Sequence, residues 1–247
     1  MEKVSAHNNP SLKNTARLTG LLYFLVAVFS MYGYFYLQGK IFARGDIATT
    51  AEKMLANESD FRSSIATGLT GNIFFLTTIL FLRKLFKQVN ETASELMMWF
   101  GIIAIPVLFI DEALQFTMLF IFKGDLLHSF TPAQSKEIAA VLLNISGNIG
   151  RLITFHWGLW LMPMGWLAYK SGFIPRIFGP LLWINGLGYM IASITFILWP
   201  DFLRTVSKIV FPSYFLGEFP LIFWLLIKGV KAVKQKDLSN ASSAGYI

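Results

Sequence analysis

The chain has 247 residues, of which 55% are hydrophobic, 16% aromatic and only 14% charged, where soluble domains carry about 25% charged residues. Such a composition makes a bilayer the natural solvent and points to an all-α integral membrane protein. The net charge of +7 comes from short basic clusters between apolar runs, which suits anionic headgroups and membrane orientation and argues against a nucleic-acid partner, while the absence of cysteine removes disulfides, thiolate metal ligands and cysteine nucleophiles.

Residues 1–17 form a polar N-terminal segment carrying Lys3, Lys13 and Arg17. The apolar run that follows is too long for a signal-peptide core, and YFYLQGK offers no small-residue cleavage site, so it should remain as a membrane helix. A helix needs roughly 20 mostly apolar residues to cross about 30 Å of hydrocarbon, and six stretches qualify. Residues 18–39 and 63–82 are free of charge; 96–122 is interrupted only by Asp111 and Glu112; 152–169 and 177–200 are again free of charge; 209–227 is interrupted only by Glu218. The expected architecture is six transmembrane helices in one domain over residues 18–229, short loops, one or two interfacial helices, and a basic, then flexible, cytoplasmic tail over 230–247.

The loops carry their own signals. Ile47, Ala51, Met54 and Leu55 recur at helical spacing among polar residues, the pattern of an interfacial helix. In TPAQ, Thr131 can cap, Pro132 fits the first helical position and Gln134 completes a capping box, so a helix should start there. A straight helix from there to Tyr169 would be about 57 Å long, and a break is expected near Gly147 and Gly150. In SGFIPRIFG, Gly172 and Pro175 make a tight turn that Lys170 and Arg176 hold at the inner face.

Twelve of the 21 Lys and Arg residues fall on the side of the N-terminus. The first loop on the other side offsets Lys40, Arg44, Lys53 and Arg62 with four acids. The positive-inside rule then puts both termini in the cytoplasm, in the cytoplasmic membrane.

Charged groups inside a bilayer cost several kcal/mol, so they face protein or a water-filled cavity. With both termini inside, and about 1.5 Å per residue, Glu112 lies about 15 Å below the outer surface, Glu218 about 13 Å, Asn72 about 12 Å and His156 about 10 Å, with Arg151 near the outer boundary. A shared polar cluster in the outer half of the bilayer is the economical expectation. Asp111 and Glu112 point about 100° apart on their helix, and Gln115 lies within reach of either. The bland alternatives are a network of the two acids with Arg151 or His156 that only pins helices, and a hydrogen-bonded structural role for Glu218 beside the kink of Pro220. Asn72, near Gly68 and Gly71, also suits close helix packing.

There is no phosphate loop, dinucleotide fingerprint, HExxH or GxSxG, and with only three histidines a histidine-rich di-iron or bis-histidine haem site is hard to build. No cofactor and no metal is expected.

The segments RLTGLLY (residues 17–23), YKSGFIPRIFGPLL (169–182), GLGY (186–189) and GEFPLIFWLLIKG (217–229) together resemble the family called domain of unknown function 4386, prokaryotic polytopic membrane proteins. The resemblance covers nearly the whole chain and implies membrane topology. It brings no activity to any residue. From the residues themselves the leading expectation is a transporter- or sensor-like protein, with membrane lipids around it, that binds a small ligand or a proton through Glu112, Glu218, His156, Asp111, Arg151, Asn72 and Gln115. The alternatives are a membrane-embedded enzyme acting on a lipid or isoprenoid, against which the missing motifs weigh, and a non-catalytic scaffold. Nothing in the sequence sets an oligomeric state.

Overall fold

A computed structural model describes residues 10–43 and 45–230. Residues 1–9, and the tail with Lys231, Lys234 and Lys236, lie outside the described residues, so the expectation of a flexible tail is not addressed. Every regular element among the described residues is helical. They are α1 (Pro10–Ser30), a π-helical segment (Met31–Leu37), α2 (Gln38–Ile41), α3 (Ile47–Ala56), α4 (Glu58–Phe86), α5 (Glu91–Lys123), α6 (Pro132–Lys170), α7 (Phe178–Leu198), a 3₁₀ turn (Pro200–Phe202) and α8 (Leu203–Ile227).

Six helical stretches are long and apolar enough to cross a membrane: Ser11–Ile41, Glu58–Phe86, Glu91–Lys123, Pro132–Lys170, Phe178–Leu198 and Pro200–Ile227. These are the six expected from the sequence; five are extended by a turn or more where polar residues continue the helix, and the fifth, Phe178–Leu198, is slightly shorter than the apolar run 177–200. The protein is a multi-pass, all-α membrane protein. The described residues pack as two compact units, one within 10–24, 77–102 and 154–230, the other within 25–76 and 103–153.

In the first unit, helices meet through small residues. A Cβ on Gly158 would strike Met190 and the Gly186 carbonyl; one on Gly165 would strike Trp183 and the Gly179 carbonyl; one on Gly20 would strike the backbone of Leu225 and Leu226. Lipid tails are as apolar as leucine, so close backbone approach and dispersion replace the hydrophobic effect as the cause of helix association. The turn between α6 and α7 forms as its sequence suggests, with Gly172 at φ +70°, where glycine alone is unstrained. The Ser171 hydroxyl donates to the Ala168 carbonyl (2.9 Å) and accepts from the Ile174 N–H (3.2 Å). At the end of α8 the Arg17 guanidinium donates to the Ile227 carbonyl (3.1 Å), meeting one of the acceptors a helix terminus leaves open.

In the second unit, α3 is the helix expected in the first loop. Asp46 caps it, accepting from the Thr49 N–H at 2.9 Å and from the Thr49 hydroxyl at 2.6 Å, and these bonds hold the Asp46 carboxyl below the ordinary carboxylate range. Its buried face delivers Met54 to a core with Ile41, Phe61, Ile65, Met118 and Leu119. The first span contains a feature that hydropathy does not reveal. Over Met31–Leu37 the chain winds as a π-helix, with the Gln38 N–H donating to the Gly33 carbonyl five residues back. The wider turn leaves Tyr32, Tyr34, Phe35 and Tyr36 at least half exposed and turns Leu37 and Gln38 inward.

The expected break at Gly147 and Gly150 does not occur. The capping box does, with the Thr131 N–H donating to Gln134 Oε1 (2.9 Å) and the Gln134 N–H donating to Thr131 Oγ1 (3.3 Å), and from there α6 is one helix of 39 residues. A glycine costs a helix only about 1 kcal/mol relative to alanine. A break would open several backbone hydrogen bonds, each worth about 0.5–1.5 kcal/mol, so the intact ladder wins. The helix is about 58 Å long, so it projects beyond the hydrocarbon or crosses it obliquely. Because no bend depends on Gly147, and its Cβ would meet only Arg151 Nη1 at 3.8 Å, Gly147→Ala should stabilise by about 0.5–1 kcal/mol. A raised melting temperature of the detergent-solubilised protein is the expected readout; a lowered one would mean the glycine is needed for shape.

Candidate functional site

Within the second unit, polar groups collect around the middle of α5. Gln115, one turn past Asp111, donates to Asp111 Oδ2 at 2.8 Å, and its own Oε1 accepts from Gln38 Nε2 at 2.9 Å. The π-helical segment is what brings Gln38 inward, and both glutamines are buried, at 8% and 3% exposure. The chain Gln38–Gln115–Asp111 ties the first span to α5 and satisfies one oxygen of Asp111. The other, Oδ1, is buried without a hydrogen-bond partner.

Glu112 points elsewhere, as the 100° step of a helix requires. Its carboxyl lies against Gly68 of α4, and a Cβ on Gly68 would occupy the position of Glu112 Oε1. Glycine there is what makes room for the carboxyl. Glu112 Oε2 is buried and has no hydrogen-bond partner. An unmet buried acceptor costs roughly 1–3 kcal/mol, a cost that a proton or a hydrogen-bond donor at this oxygen would relieve.

Glu218, in the first unit, has the opposite arrangement. Tyr23 of α1 donates its hydroxyl to Oε1; from α7, Asn185 Nδ2 donates to Oε2 at 2.9 Å and the Tyr189 hydroxyl at 3.3 Å. Three helices thus meet on one carboxyl. The donors are held by their own packing: Tyr23 edge-on to Trp160 at 5.9 Å, Tyr189 stacked on Tyr214 at 4.3 Å. Gly217 leaves space for Asn185, and Pro220, two residues on, frees a backbone carbonyl of α8. A carboxyl with three donors is a strong tie between helices.

The remaining expected site residues are spread over both units. His156 belongs with Glu218 in the first, but stands edge-on to Phe100 at 6.0 Å with Nε2 buried and unpartnered. Asn72 and Arg151 belong with Glu112 in the second; Asn72 is half-buried one turn past Gly68, and Arg151 is exposed, with Nη1 donating to Asn148 Oδ1 at 3.4 Å. Neither Asn72 nor His156 hydrogen-bonds a carboxylate among the described residues. Among those residues no group of three His, Cys, Asp or Glu side chains could hold a metal ion. A search for charged residues passes over Gln38, Tyr23, Asn185 and Tyr189, which carry no formal charge and sit in otherwise apolar runs. The available signal was an amide or phenol inside a span, which also needs a partner.

The family described as "Domain of unknown function (DUF4386)" matches residues 18–229. Over 74 residues the chain is 36% identical to an uncharacterised protein of Archaeoglobus fulgidus, a stretch that is 30% of this chain and 42% of that protein. The chain thus spans under half the length of that relative. No solved structure matches it.

The two carboxyls should respond differently to substitution. Glu218→Ala leaves three buried donors without an acceptor, at roughly 1–3 kcal/mol each, and should lower the melting temperature of the solubilised protein much more than Tyr23→Phe, which removes one donor at about 1 kcal/mol. Equal melting of Glu218→Ala and the unaltered chain would show that the carboxyl does not tie the helices.

Proposed function

The chain belongs to the DUF4386 family, and from that premise we propose that this multi-pass protein binds a proton, or a small ligand with a cationic or N–H donor group, at Glu112 within the bilayer. The observation that carries the reading is the buried, unpartnered Glu112 Oε2 in the space Gly68 leaves open. Asp111 and Gln115 position the α5 turn that presents Glu112, through the bond from Gln38. Glu218, His156, Asn72 and Arg151 are the other candidates; of these Glu218 acts as the helix tie, its three donors leaving it less open to a ligand than Glu112. Binding of this kind serves a transporter or a sensor alike and needs no catalytic motif. We place the protein in the cytoplasmic membrane with both termini inside, because twelve of its 21 basic residues lie on that side.

Glu112→Gln removes the titrating group while keeping its size. In lipid nanodiscs it should abolish the pH-dependent change in tryptophan fluorescence with melting unchanged, and Gly68→Ala, which displaces the carboxyl, should shift or abolish the same change. A full pH response in both variants would rule out Glu112 as the site, and loss of folding in both would mean the group is structural.

Orientation is open to a direct test, because the chain contains no cysteine. In whole cells, cysteine at Asp125 should react with an impermeant maleimide, and cysteine at Gln88 only after permeabilisation. The reverse pattern would invert the topology.

A further inference from the structure

The first two turns of α4 present Glu58, Ser59, Arg62, Ser63 and Ala66 to an open cavity of about 470 Å³. These positions recur at helical spacing on one face. Arg62 is fixed there from two directions. Its Nε donates to Glu58 Oε1 at 2.7 Å, and its guanidinium lies over the rings of Phe116 and Phe120, at 5.4 and 6.0 Å. Among the described residues its two terminal nitrogens make no hydrogen bond, and neither do the hydroxyls of Ser59 and Ser63. Lys123 Nζ reaches the same Glu58 oxygen at 3.2 Å, so two cations surround one acid and a positive charge is left over.

The surroundings indicate what would occupy the cavity. Arg62 is the last charge before the uncharged stretch 63–82, which sets it at headgroup level. Deeper along the same face come Ala66 in the cavity wall, then Thr70, and then Ile73, which is 59% exposed. A polar mouth therefore leads onto an apolar helix face in the hydrocarbon. A planar guanidinium held by stacking offers two parallel N–H donors, the geometry that recognises phosphate oxygens, and two free hydroxyls add further donors.

We propose that this cavity binds the phosphodiester headgroup of a membrane phospholipid, with Arg62, Ser59 and Ser63 as donors to the phosphate and an acyl chain laid along Ala66, Thr70 and Ile73. Glu58 orients Arg62 through its bond to Nε. The site shares no residue with the one built around Glu112, so either can fail while the other stands.

The test uses the full chain in detergent with three probes: dihexanoyl phosphatidylglycerol, dihexanoylglycerol without the phosphate, and inorganic phosphate. Saturable binding of the phospholipid is expected, with dihexanoylglycerol and inorganic phosphate each weaker by at least about tenfold. The double variant Ser59→Ala, Ser63→Ala, and separately Arg62→Lys, which keeps the charge and loses the planar fork, should each weaken phospholipid binding by about tenfold or more with melting unchanged. If Arg62→Lys does not fold, the serine variant decides alone. Phospholipid binding unaltered in the serine variant would overturn the site. Inorganic phosphate binding as tightly as the phospholipid would overturn the lipid assignment, as would equal binding of dihexanoylglycerol.

Discussion

Inside hydrocarbon there is no water to complete a hydrogen bond, and most of this structure follows from that constraint. It makes every span helical, because only a helix satisfies its own backbone. The unbroken run of α6 through Gly147 and Gly150 has a more local cause: a glycine's cost to a helix is small beside the several hydrogen bonds a break would open. The same constraint reaches the side chains. Gln38, Gln115, Asn185 and Tyr23 are all buried in or beside membrane helices, and each is hydrogen-bonded to another polar side chain from a different helical element.

Packing supplies the second layer. The crossings of α6 with α7, and of α1 with α8, use glycines whose missing Cβ lets backbone meet backbone or side chain. The same device appears at Gly68 and Gly217, where the space left goes to a polar group, Glu112 in one case and Asn185 in the other. A glycine that would read as packing alone therefore also sets where a carboxyl or its donor can sit.

The contrast between Glu112 and Glu218 depends on their neighbours and not on their depth. Counting residues from the helix ends puts them within about 2 Å of the same level, which suggested one shared cluster. Equal depth says nothing of the hydrogen bonds each one makes. Glu218 receives three donors, while Glu112 keeps an oxygen without a partner. Depth along a helix is a linear property of the sequence; the direction a side chain faces, and what faces it, is a property of the packed helices.

By itself the sequence determined that the chain is a membrane protein, that it has six spans, that a helix lies in the first loop, where α6 begins, and which few charges lie inside the apolar runs. All of these are local properties, since hydropathy over about 20 residues, a capping box or a charge within an apolar run can each be read in place. Only the tertiary structure decided that the first span contains a π-helical turn directing Gln38 to Gln115, that Glu218 joins three helices, and that Gly68 makes the space for Glu112. Those pairings link residues separated by dozens to nearly two hundred positions in the chain. A helix that is apolar on all sides carries no periodicity to show which neighbour each face will meet.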